Sequence, residues 1–433
     1  MEKKIMEKNP PILFKTYPGL KDKVPWISIL TNVPTPIDRL TNLENFFNLT
    51  DGEVYIKRDD KNHKLYGGNK LRKFEFIFAD VIKKKKKGIM TFGGIGTNHG
   101  LASAIVAKDL GIKCDLFLAF QPLTWHVQCS LLMFNYFGAK LHYKKSYGAL
   151  VIKSLLWRLF HPKYYIILPG GSLLLGKGSP LGTIGYVNAS FELKKQIDDG
   201  IISKPDLIFV ACGSTGTAAG LIAGLKLLDL DIKVHAVAVS DEMFVSPKSI
   251  MTNSNKTLEY LQKMDETIPK VRVDTNDFVI VSGYLGSEYG VKTIRGQEAV
   301  DLMMELEGKK RGFKVETTYT GKALAGMFDF LKMEENKSKK ILFWNTYNSN
   351  DLDQYIKETN FDFKKLPKIF HQFYEKKYQC WQIKGCKEEV REKCPAYLNH
   401  EYRFWKVVEC ALNEEEKEFI KEEINKAITL EDA

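Results

Sequence analysis

The stretch "GIMTFGGIGTNHGLASAIVAKDLGIKCDLFLAF", residues 88–120, joins two short apolar segments through a glycine-rich turn and a helical pattern. Apolar segments of this length, separated by a helix, are typical of parallel β-strands with a crossover connection. The stretch therefore predicts a strand, a helix and a second, parallel strand that lie in one sheet.

The same alternation extends over most of the chain, from residue 50 to residue 350. Helical stretches such as 99–111 and 216–230 separate further apolar segments. The strand candidates are residues 53–59, 88–94, 113–120, 140–145, 206–212, 233–240 and 340–346. Open parallel sheets bind ligands beyond the carboxyl ends of their strands. The pattern therefore predicts an α/β fold with two parallel-sheet domains and a ligand cleft between them.

The composition is that of a folded protein, since 44% of the 433 residues are apolar and 27% are charged. The net charge of +11 includes one run of five lysines, Lys83–Lys87, without a nucleic-acid-binding motif. We therefore expect a solvated surface and no nucleic-acid partner. No apolar run reaches the ~18 residues of a membrane span. The start, "MEKKIMEKNPPILF", lacks the pattern of a secretory signal, which favours the cytoplasm.

The stretch "ALVIKSLLWRLFHPKYY", residues 149–165, is both amphipathic and basic. Such a helix either lies on a membrane surface or turns its apolar side toward the core. We favour a core-facing helix that leads into the strand "YYIILPGG", residues 164–171, and expect no membrane partner.

Three glycine-containing turns precede predicted helices. The turn in "FGGIGTNHG", residues 92–100, brings Thr97, Asn98 and His99 to a helix start. The turn in "ACGSTGTAAGL", residues 211–221, follows a buried strand. The turn in "KLYGGNKLRKFEF", residues 64–76, holds Lys70 behind two glycines.

Each turn offers a distinct kind of chemistry. A helix start presents unpaired backbone N–H groups and a positive dipole end, which suit a carboxylate or a phosphate. A rigid turn directs a lysine, and desolvation lowers its pKa for covalent attack on a carbonyl. Each turn alone is equally consistent with tight packing of a helix on a strand, and Lys70 with an ordinary helix start. Together they indicate a phosphate-bearing aldehyde cofactor, pyridoxal 5'-phosphate.

Several motifs, in this order along the chain, resemble the D-cysteine desulfhydrase / 1-aminocyclopropane-1-carboxylate (ACC) deaminase family. They are "YIKRDDKNHKLYGGNKLRKFEF" (55–76), "FGGIGTNHG" (92–100), "PLGTIGYV" (180–187), "GSTGTAAGL" (213–221), "GYLGSEYG" (283–290) and "YTGKALAGM" (319–327). The resemblance covers residues 25–350. It implies a tryptophan-synthase-β-like fold, pyridoxal 5'-phosphate, a small amino-acid substrate and a homodimer.

The resemblance also implies roles for individual residues. Lys70 matches the Schiff-base lysine, and Asn98 the residue that holds the cofactor's phenolic oxygen. The helix start Thr97–His99 corresponds to the site of the substrate carboxylate. Tyr289 and Tyr319 match tyrosines on the substrate side. The phosphate would be bound by Gly213, Ser214, Thr215, Gly216 and Thr217, with Lys73 as a further candidate.

Two threonines favour elimination over ring opening. Thr320 stands where deaminases of the family carry an acid, and Thr346 where they carry an apolar residue. A hydroxyl beside the pyridine nitrogen gives a weaker electron sink than a carboxylate does. We therefore expect α,β-elimination on D-cysteine or a related small amino acid, giving a keto acid and ammonia, with Lys70 as the base by position.

Three departures from the family keep alternatives open. Thr97 replaces the usual serine, "NTYNSND" (345–351) replaces a glycine-containing segment with Tyr347 and Asn348, and the loop "FQPLTWHVQCS" (120–130) differs. The alternatives are ring opening of an ACC-type substrate, and a non-catalytic sensor or scaffold that retains the fold.

The domain boundaries and the cysteines complete the expectations. We expect a large cofactor domain at 1–73 and 190–360, a small substrate-side domain at 74–189, and a cysteine-bearing module at 361–433. Three single cysteines in apolar surroundings, Cys114, Cys129 and Cys212, are predicted to be buried thiols. Four lie in the tail: Cys380, Cys386, Cys394 and Cys410. They would hold zinc or an iron–sulfur cluster, or else pack as reduced thiols among aromatic residues.

Overall fold

The structure is a computed structural model that describes residues 10–121, 123–173, 176–287 and 289–375. These residues fall into two compact units. The first lies within Met1–Lys87 and Tyr165–Asn350, and the second within Gly88–Tyr164 and Asp351–Ala433. Every helix among the described residues is too short or too polar to span a bilayer.

The first unit is built on a six-stranded sheet. Its strands are β1 (Ile37–Arg39), β2 (Glu53–Lys57), β7 (Leu207–Cys212), β8 (Lys233–Ala238), β9 (Phe278–Val281) and β10 (Lys340–Trp344). Their order across the sheet is β1-β2-β10-β7-β8-β9. β1 pairs antiparallel with β2, and all other neighbours pair in parallel. Every residue of β7 is buried, as expected for a parallel strand covered on both faces.

The helices of the first unit connect these strands. They are α1 (Ile12–Thr16), α2 (Thr41–Phe46), α3 (Asn69–Lys83), α7 (Leu181–Asp198), α8 (Gly216–Leu227), α9 (Pro247–Met264), α10 (Ile294–Met303), α11 (Lys309–Arg311) and α12 (Thr320–Leu331). Short 3₁₀ segments occur at Pro18–Leu20, Asp59–Lys61, Pro169–Gly171 and Glu334–Asn336, and a π-helical turn at Met304–Gly308. α3 and α8 each begin where a glycine-containing turn enters the helix, which places two of the candidate motifs at helix starts.

The second sheet has four strands. They are β3 (Gly88–Gly94), β4 (Lys113–Ala119), β5 (Lys140–Lys144) and β6 (Tyr164–Ile167), in the order β5-β4-β3-β6. β4 pairs in parallel with β3 and with β5. The helices of the second unit are α4 (Asn98–Asp109), α5 (Trp125–Tyr136), α6 (Tyr147–Phe160), α13 (Asp353–Glu358) and α14 (Lys368–Glu375), with a 3₁₀ turn at Phe363–Lys365.

The predicted fold class is confirmed, because the chain forms two mostly parallel sheets with helical connections. Each predicted strand is present, and most end one or two residues earlier than the apolar run. The three single cysteines are buried free thiols, as predicted. The domain boundaries stay a prediction. The cysteine tail, with Cys380, Cys386, Cys394 and Cys410, lies outside the described residues.

One sequence prediction is wrong. The helix expected to face the core, α6, buries only Leu150 and Ser154 among its residues. Its large apolar side chains are mostly exposed, and Phe160 is 81% exposed. Amphipathic patterning identifies two faces of a helix but does not say which one meets the core.

A network of paired charges lies buried beneath α3 in the first unit. Arg72 donates to both oxygens of Asp59, at 2.8 and 2.7 Å, and to both oxygens of Glu192, at 3.0 and 2.9 Å. Lys57 donates to Glu192 at 2.6 Å, and Trp344 Nε1 donates to Asp59 at 2.7 Å. Arg72 and Lys57 hold the pKa of Glu192 below its usual range, against the effect of burial. Each buried charge therefore has an opposite charge beside it.

Candidate active site

The turn that carries Lys70 packs against the chain that follows the last strand of the sheet. Gly68 has φ +105°, a conformation that glycine adopts readily, and a Cβ there would lie 2.7 Å from Thr346 O. Asn69 N donates to Thr346 O at 3.1 Å, and Gly67 N donates to Asn348 Oδ1 at 2.7 Å. Gly68 is therefore required by close backbone approach, and the segment 346–348 holds the turn through two hydrogen bonds.

These contacts give a structural role to part of the segment 345–351, which departs from the family pattern. The side chain of Asn348 is buried and accepts from Gly67 N. Asn350 Nδ2 donates to His63 O at 2.6 Å, and Ser349 N donates to Asp60 O at 3.1 Å. Asn348 is thus directed at the backbone of the Lys70 turn and fixes that turn in place.

The amine of Lys70 is set apart from ordinary surface lysines. The residue is half-buried, and burial lowers the pKa of its amine to about 8. Its Nζ donates to Asn69 Oδ1 at 3.0 Å, and Asn69 Nδ2 donates to Thr217 Oγ1 at 3.1 Å. The side chain of Asn69 therefore bridges the amine of Lys70 and the first turn of α8 through two hydrogen bonds.

The turn at residues 213–217 forms the start of α8. Thr215, its N-cap residue, has φ +58°, which is uncommon for a residue with a side chain. Asn253 Nδ2 donates to Thr215 Oγ1 at 3.1 Å and holds this conformation. The first amides of a helix have no partner within the helix, so this start offers N–H donors and a positive dipole end to an anion. A small cavity adjoins the turn, lined by Leu173, Gly176, Ser214, Thr215, Phe244, Ser249 and Asn253.

Lys73 lies one helical turn after Lys70 and reaches the same turn. Its side chain is fully buried, and its Nζ donates to Gly170 O at 2.9 Å. A Cβ on Gly216 would lie 2.9 Å from that Nζ, so the amine is next to the start of α8. Burial, with the nearby Lys70, lowers the pKa of Lys73 far below its usual value. An anion bound at this turn would supply the opposite charge that this buried amine requires.

The two predicted tyrosines join the same group of residues. A Cβ on Gly213 would lie 3.6 Å from Tyr319 Cε1, which places that ring beside the 213–217 turn. The hydroxyls of Tyr289 and Tyr319 are hydrogen-bonded to each other, and their rings meet edge to face with centroids 6.0 Å apart. Tyr289 is 42% exposed, so the pair has one open side.

The two predicted threonines occupy different surroundings. Thr320 is fully buried, and its hydroxyl accepts from Glu316 N at 2.8 Å. Glu316 in turn accepts from the amides of Thr318 and Tyr319, at 2.6 and 2.8 Å. Thr346 is half-buried and contacts Asn69 through its carbonyl. Their proposed roles toward the pyridine ring stay predictions.

The second unit carries the remaining predicted residues at the start of α4. Thr97 is the N-cap, and its hydroxyl accepts from Gly100 N at 3.3 Å. Cβ atoms on Gly93 and Gly100 would lie within 2.7 Å of the Thr97 methyl carbon. The methyl group by which threonine differs from serine therefore fits into space that two glycines leave open.

Asn98 and His99 each contact a specific polar group. His126 Nε2 lies 3.1 Å from Asn98 Oδ1, and His99 Nε2 lies 2.9 Å from Thr91 Oγ1. A donor at His126 Nε2 orients the amide of Asn98 so that its NH₂ group points away from His126. Such an orientation suits a residue that must donate to an oxygen of a ligand.

Sequence reasoning missed three residues that the structure brings to these turns. Asn69 links Lys70 to Thr217. His126 contacts Asn98, and Gln121 Oε1 accepts from Gly96 N at 3.2 Å. Asn69 directly precedes Lys70 in the most specific motif, and the other two lie in the loop that departs from the family pattern. Both facts are visible in the sequence.

Comparison with known proteins identifies the class that this fold and site define. The family model described as "Pyridoxal-phosphate dependent enzyme" matches residues 30–346, and the chain belongs to that class. D-cysteine desulfhydrases from Salmonella newport and Salmonella typhi are each 32% identical over 334 residues, covering 73% of this chain and 92% of theirs. The chain is therefore a member of the D-cysteine desulfhydrase / ACC deaminase family.

Two solved structures share the fold of this chain. The crystal structure of an ACC deaminase homologue matches with a TM-score of 0.62 at 27% identity, covering 81% of this chain and all of that one. A hydrogen sulfide-producing enzyme from Fusobacterium nucleatum shares the fold, with a TM-score of 0.51 at 17% identity, covering 73% and 96% of the two chains.

The residues of the first unit fit pyridoxal 5'-phosphate. The amine of Lys70, with its pKa lowered to about 8, suits covalent attachment to an aldehyde. The fully buried Lys73 beside the start of α8 suits a phosphate. Within the described ranges, no group of three or more His, Cys, Asp and Glu side chains could hold a metal ion. The expected zinc or iron–sulfur site falls outside those ranges.

Proposed function

We propose that this enzyme catalyses α,β-elimination of hydrogen sulfide from D-cysteine or a closely related small amino acid. For D-cysteine, the Cα–H and Cβ–S bonds break, one water is consumed, and pyruvate, hydrogen sulfide and ammonia are released. The observation that carries this proposal is the amine of Lys70, which is half-buried and joined through Asn69 to the 213–217 turn.

Lys70 has two parts in the proposed reaction. When bound, pyridoxal phosphate supplies an aldehyde for covalent attachment and a ring that withdraws electrons from the substrate's α-carbon. Lys70 Nζ binds the cofactor in the resting enzyme and receives the α-proton during turnover. A pKa of about 8 leaves a useful fraction of this amine neutral near neutral pH, whereas an ordinary lysine is almost entirely protonated there.

The other residues bind and orient the cofactor and the substrate. The start of α8 and Lys73 bind the phosphate, and Asn69 fixes the direction of the Lys70 amine relative to that turn. Asn98, oriented by His126, donates to the cofactor's phenolic oxygen. The amides at the start of α4, with the Thr97 hydroxyl, bind the substrate carboxylate. The Tyr289–Tyr319 pair lines the substrate side, where its linked hydroxyls can pass a proton to the leaving group.

Two threonines favour elimination of sulfide over ring opening. By family resemblance, Thr320 stands where deaminases carry an acid, and Thr346 where deaminases carry an apolar residue and desulfhydrases carry threonine. Neutral hydroxyl partners give a weaker electron sink, which suffices for loss of a good leaving group such as sulfide.

An amino-acid panel tests the proposal. The protein loaded with pyridoxal phosphate is assayed with D-cysteine, L-cysteine, D-serine and ACC for keto acid, sulfide and ammonia. We expect pyruvate, sulfide and ammonia in equal amounts from D-cysteine. Lys70→Ala should abolish turnover, and the matched control Lys64→Ala, which changes an exposed lysine of the same loop, should leave it unchanged.

The other outcomes are equally distinct. Release of 2-oxobutanoate from ACC without pyruvate from D-cysteine would establish ring opening instead. A coloured, cofactor-loaded protein that yields no keto acid from any member of the panel would favour the sensor or scaffold alternative.

A further inference from the structure

The helix α6 exposes an apolar surface that the proposed reaction does not use. We call this surface the α6 face and define it by Tyr147, Val151, Ile152, Leu155, Leu156, Leu159 and Phe160. All seven side chains are exposed, and Leu159 and Phe160 are 73% and 81% exposed. Large apolar side chains that cluster on a surface in this way mark an interaction site.

The opposite side of α6 anchors the helix to the second unit. Leu150 is buried with Phe117 and Met90 in one cluster, and Trp157 packs against Phe117 with ring centroids 5.5 Å apart. The ring of His161 stacks on Trp157, with centroids 3.7 Å apart. Since this narrow side accounts for the packing of α6, the α6 face is available for something other than the core.

The α6 face is unusually wide for a helix-docking surface. At 3.6 residues per turn, its seven side chains cover an arc of about 220°. A helix or strand that packs on another helix covers a stripe of roughly 100°. A lipid surface encloses a wider arc, because an interfacial helix sinks ~5–10 Å into the boundary between headgroups and acyl chains.

The stretch of chain that contains α6 carries charges of one sign. Residues 116–191 contain seven Lys and Arg and no Asp or Glu. Lys144, Lys145 and Lys163 are exposed near the two ends of the helix. Lys153 lies just beyond one edge of the apolar arc, and Arg158 lies near the other edge, where it donates to His161 O at 2.9 Å. Long basic side chains at such positions can reach headgroups while their stems stay in apolar surroundings.

We propose that the α6 face binds the surface of an anionic phospholipid bilayer, with α6 lying in the plane of the interface. The apolar arc supplies the buried area, and the basic residues supply attraction to anionic headgroups. A second copy of this chain is disfavoured as the partner, because it would bring the same basic residues against each other. The acidic segment 413–428 is disfavoured because one docked segment covers too little of the arc.

Vesicle sedimentation with the full-length, cofactor-loaded protein tests this proposal. One set of vesicles contains phosphatidylcholine alone, and the other contains equal amounts of phosphatidylcholine and phosphatidylserine. We expect binding to the anionic vesicles, weakened by salt, and little binding to the neutral ones. Keto-acid release is measured in parallel, so that loss of lipid binding and loss of the proposed reaction are separate results.

Variants of exposed residues assign the binding to the α6 face. Leu156→Ser and Leu159→Ser should each lower the partition coefficient by more than about tenfold, since each removes an apolar side chain that the lipid interface would bury. Lys145→Gln and Lys163→Gln should each lower it by about fivefold. Ile201→Ser and Lys248→Gln change exposed residues elsewhere and should have no effect. Unchanged thermal unfolding and cofactor absorption show that each variant is folded.

Four results would overturn the proposal. The first is that the unmodified protein does not bind anionic vesicles. The second is that the α6 variants bind as well as the unmodified protein, which would place the binding site elsewhere. The third is a dimer that Leu159→Ser converts to a monomer without any vesicle binding. The fourth is vesicle binding only after proteolytic removal of residues beyond 375, which would make the tail the occupant in the intact chain.

Discussion

Two lysines of one motif, Lys57 and Lys70, lie in the same unit and differ in what surrounds their amines. Lys57 is fully buried and donates to Glu192 at 2.6 Å, to Gln196 at 2.6 Å and to Thr35 O at 2.7 Å. Lys70 is half-buried and donates to the neutral amide oxygen of Asn69 at 3.0 Å. Burial lowers the pKa of both, but Glu192 opposes this effect at Lys57.

The difference separates residues that build the fold from residues that can react. Lys57 is one member of the paired network that also contains Arg72, Asp59 and Glu192, and a proton leaving it would unbalance that network. The amine of Lys70 is hydrogen-bonded by a neutral group, so it can lose its proton and form a covalent bond at little structural cost. Within the KRDD…GGNKLRK motif, Lys57, which is paired with opposite charge, therefore has a structural role. The half-buried Lys70, whose amine donates to a neutral amide, is the candidate for covalent chemistry.

The largest expected effect comes from removing the reactive amine. Lys70→Ala should lower turnover on the substrate by on the order of 10³ or more, because covalent attachment and proton transfer are both lost. The visible absorption band of lysine-bound cofactor should disappear, while the urea unfolding midpoint should stay close to that of the unmodified protein. A coloured and active Lys70→Ala variant would remove the distinction between the two lysines.

The converse change should affect stability rather than reactivity. Arg72→Met leaves Asp59 and Glu192 buried with fewer opposite charges, so the free energy of unfolding should fall by about 3–5 kcal/mol. Urea unfolding measures this loss. The fraction that remains folded should still bind cofactor at Lys70. A variant of unchanged stability that cannot bind cofactor would assign Arg72 to the site instead.

A smaller effect is expected from Asn69, the residue that joins the amine of Lys70 to the turn at residues 213–217. Asn69→Ala removes the hydrogen bonds to Lys70 Nζ and Thr217 Oγ1 and should weaken cofactor binding by about tenfold. Titration of the apoprotein by absorbance measures the dissociation constant. Asn45→Ala changes an exposed asparagine and serves as the control. Equal affinity of both variants would show that Asn69 does not position the amine.

The smallest effect concerns a carboxyl group on the same helix as Lys70. Glu75 accepts from the amides of Ile29 and Leu30, at 3.0 and 3.1 Å, and burial raises its pKa to about 7. The folded carboxyl therefore stays protonated up to about pH 7, whereas the unfolded one ionises near 4.5. The free energy of unfolding should fall as the pH rises through this interval.

Glu75→Gln keeps an oxygen acceptor but cannot ionise, so its stability should vary less with pH over that range. Denaturant unfolding at pH 5 and pH 8 measures the difference between the two proteins. Parallel pH profiles for the unmodified protein and the variant would contradict the assignment, and would mean that hydrogen bonds from backbone amides suffice to hold an ionised carboxylate in this position.

The sequence predicts the sheets well, because parallel strands are continuous apolar runs and their turns contain glycines with a steric purpose. It misses β1 and β9, which are four residues or fewer and partly exposed. It also predicts Lys70 as the reactive lysine, because that residue matches the Schiff-base lysine of the family motif. The contacts of Asn69, His126 and Asn348 depend on chain segments far apart in sequence, and no local pattern reports them. The orientation of α6 is missed because a narrow buried side, not the broad apolar one, packs on the sheet.

Reductive trapping shows directly which lysine binds the cofactor. The apoprotein is mixed with pyridoxal phosphate, reduced with borohydride at a series of pH values, digested, and the labelled peptide is identified by mass spectrometry. The label should lie on Lys70 and not on Lys57 or Lys73. Its initial rate of incorporation should rise about tenfold per pH unit below a pKa of about 8 and then level off. A label on another lysine, or a rate that keeps rising toward pH 10, would contradict the account.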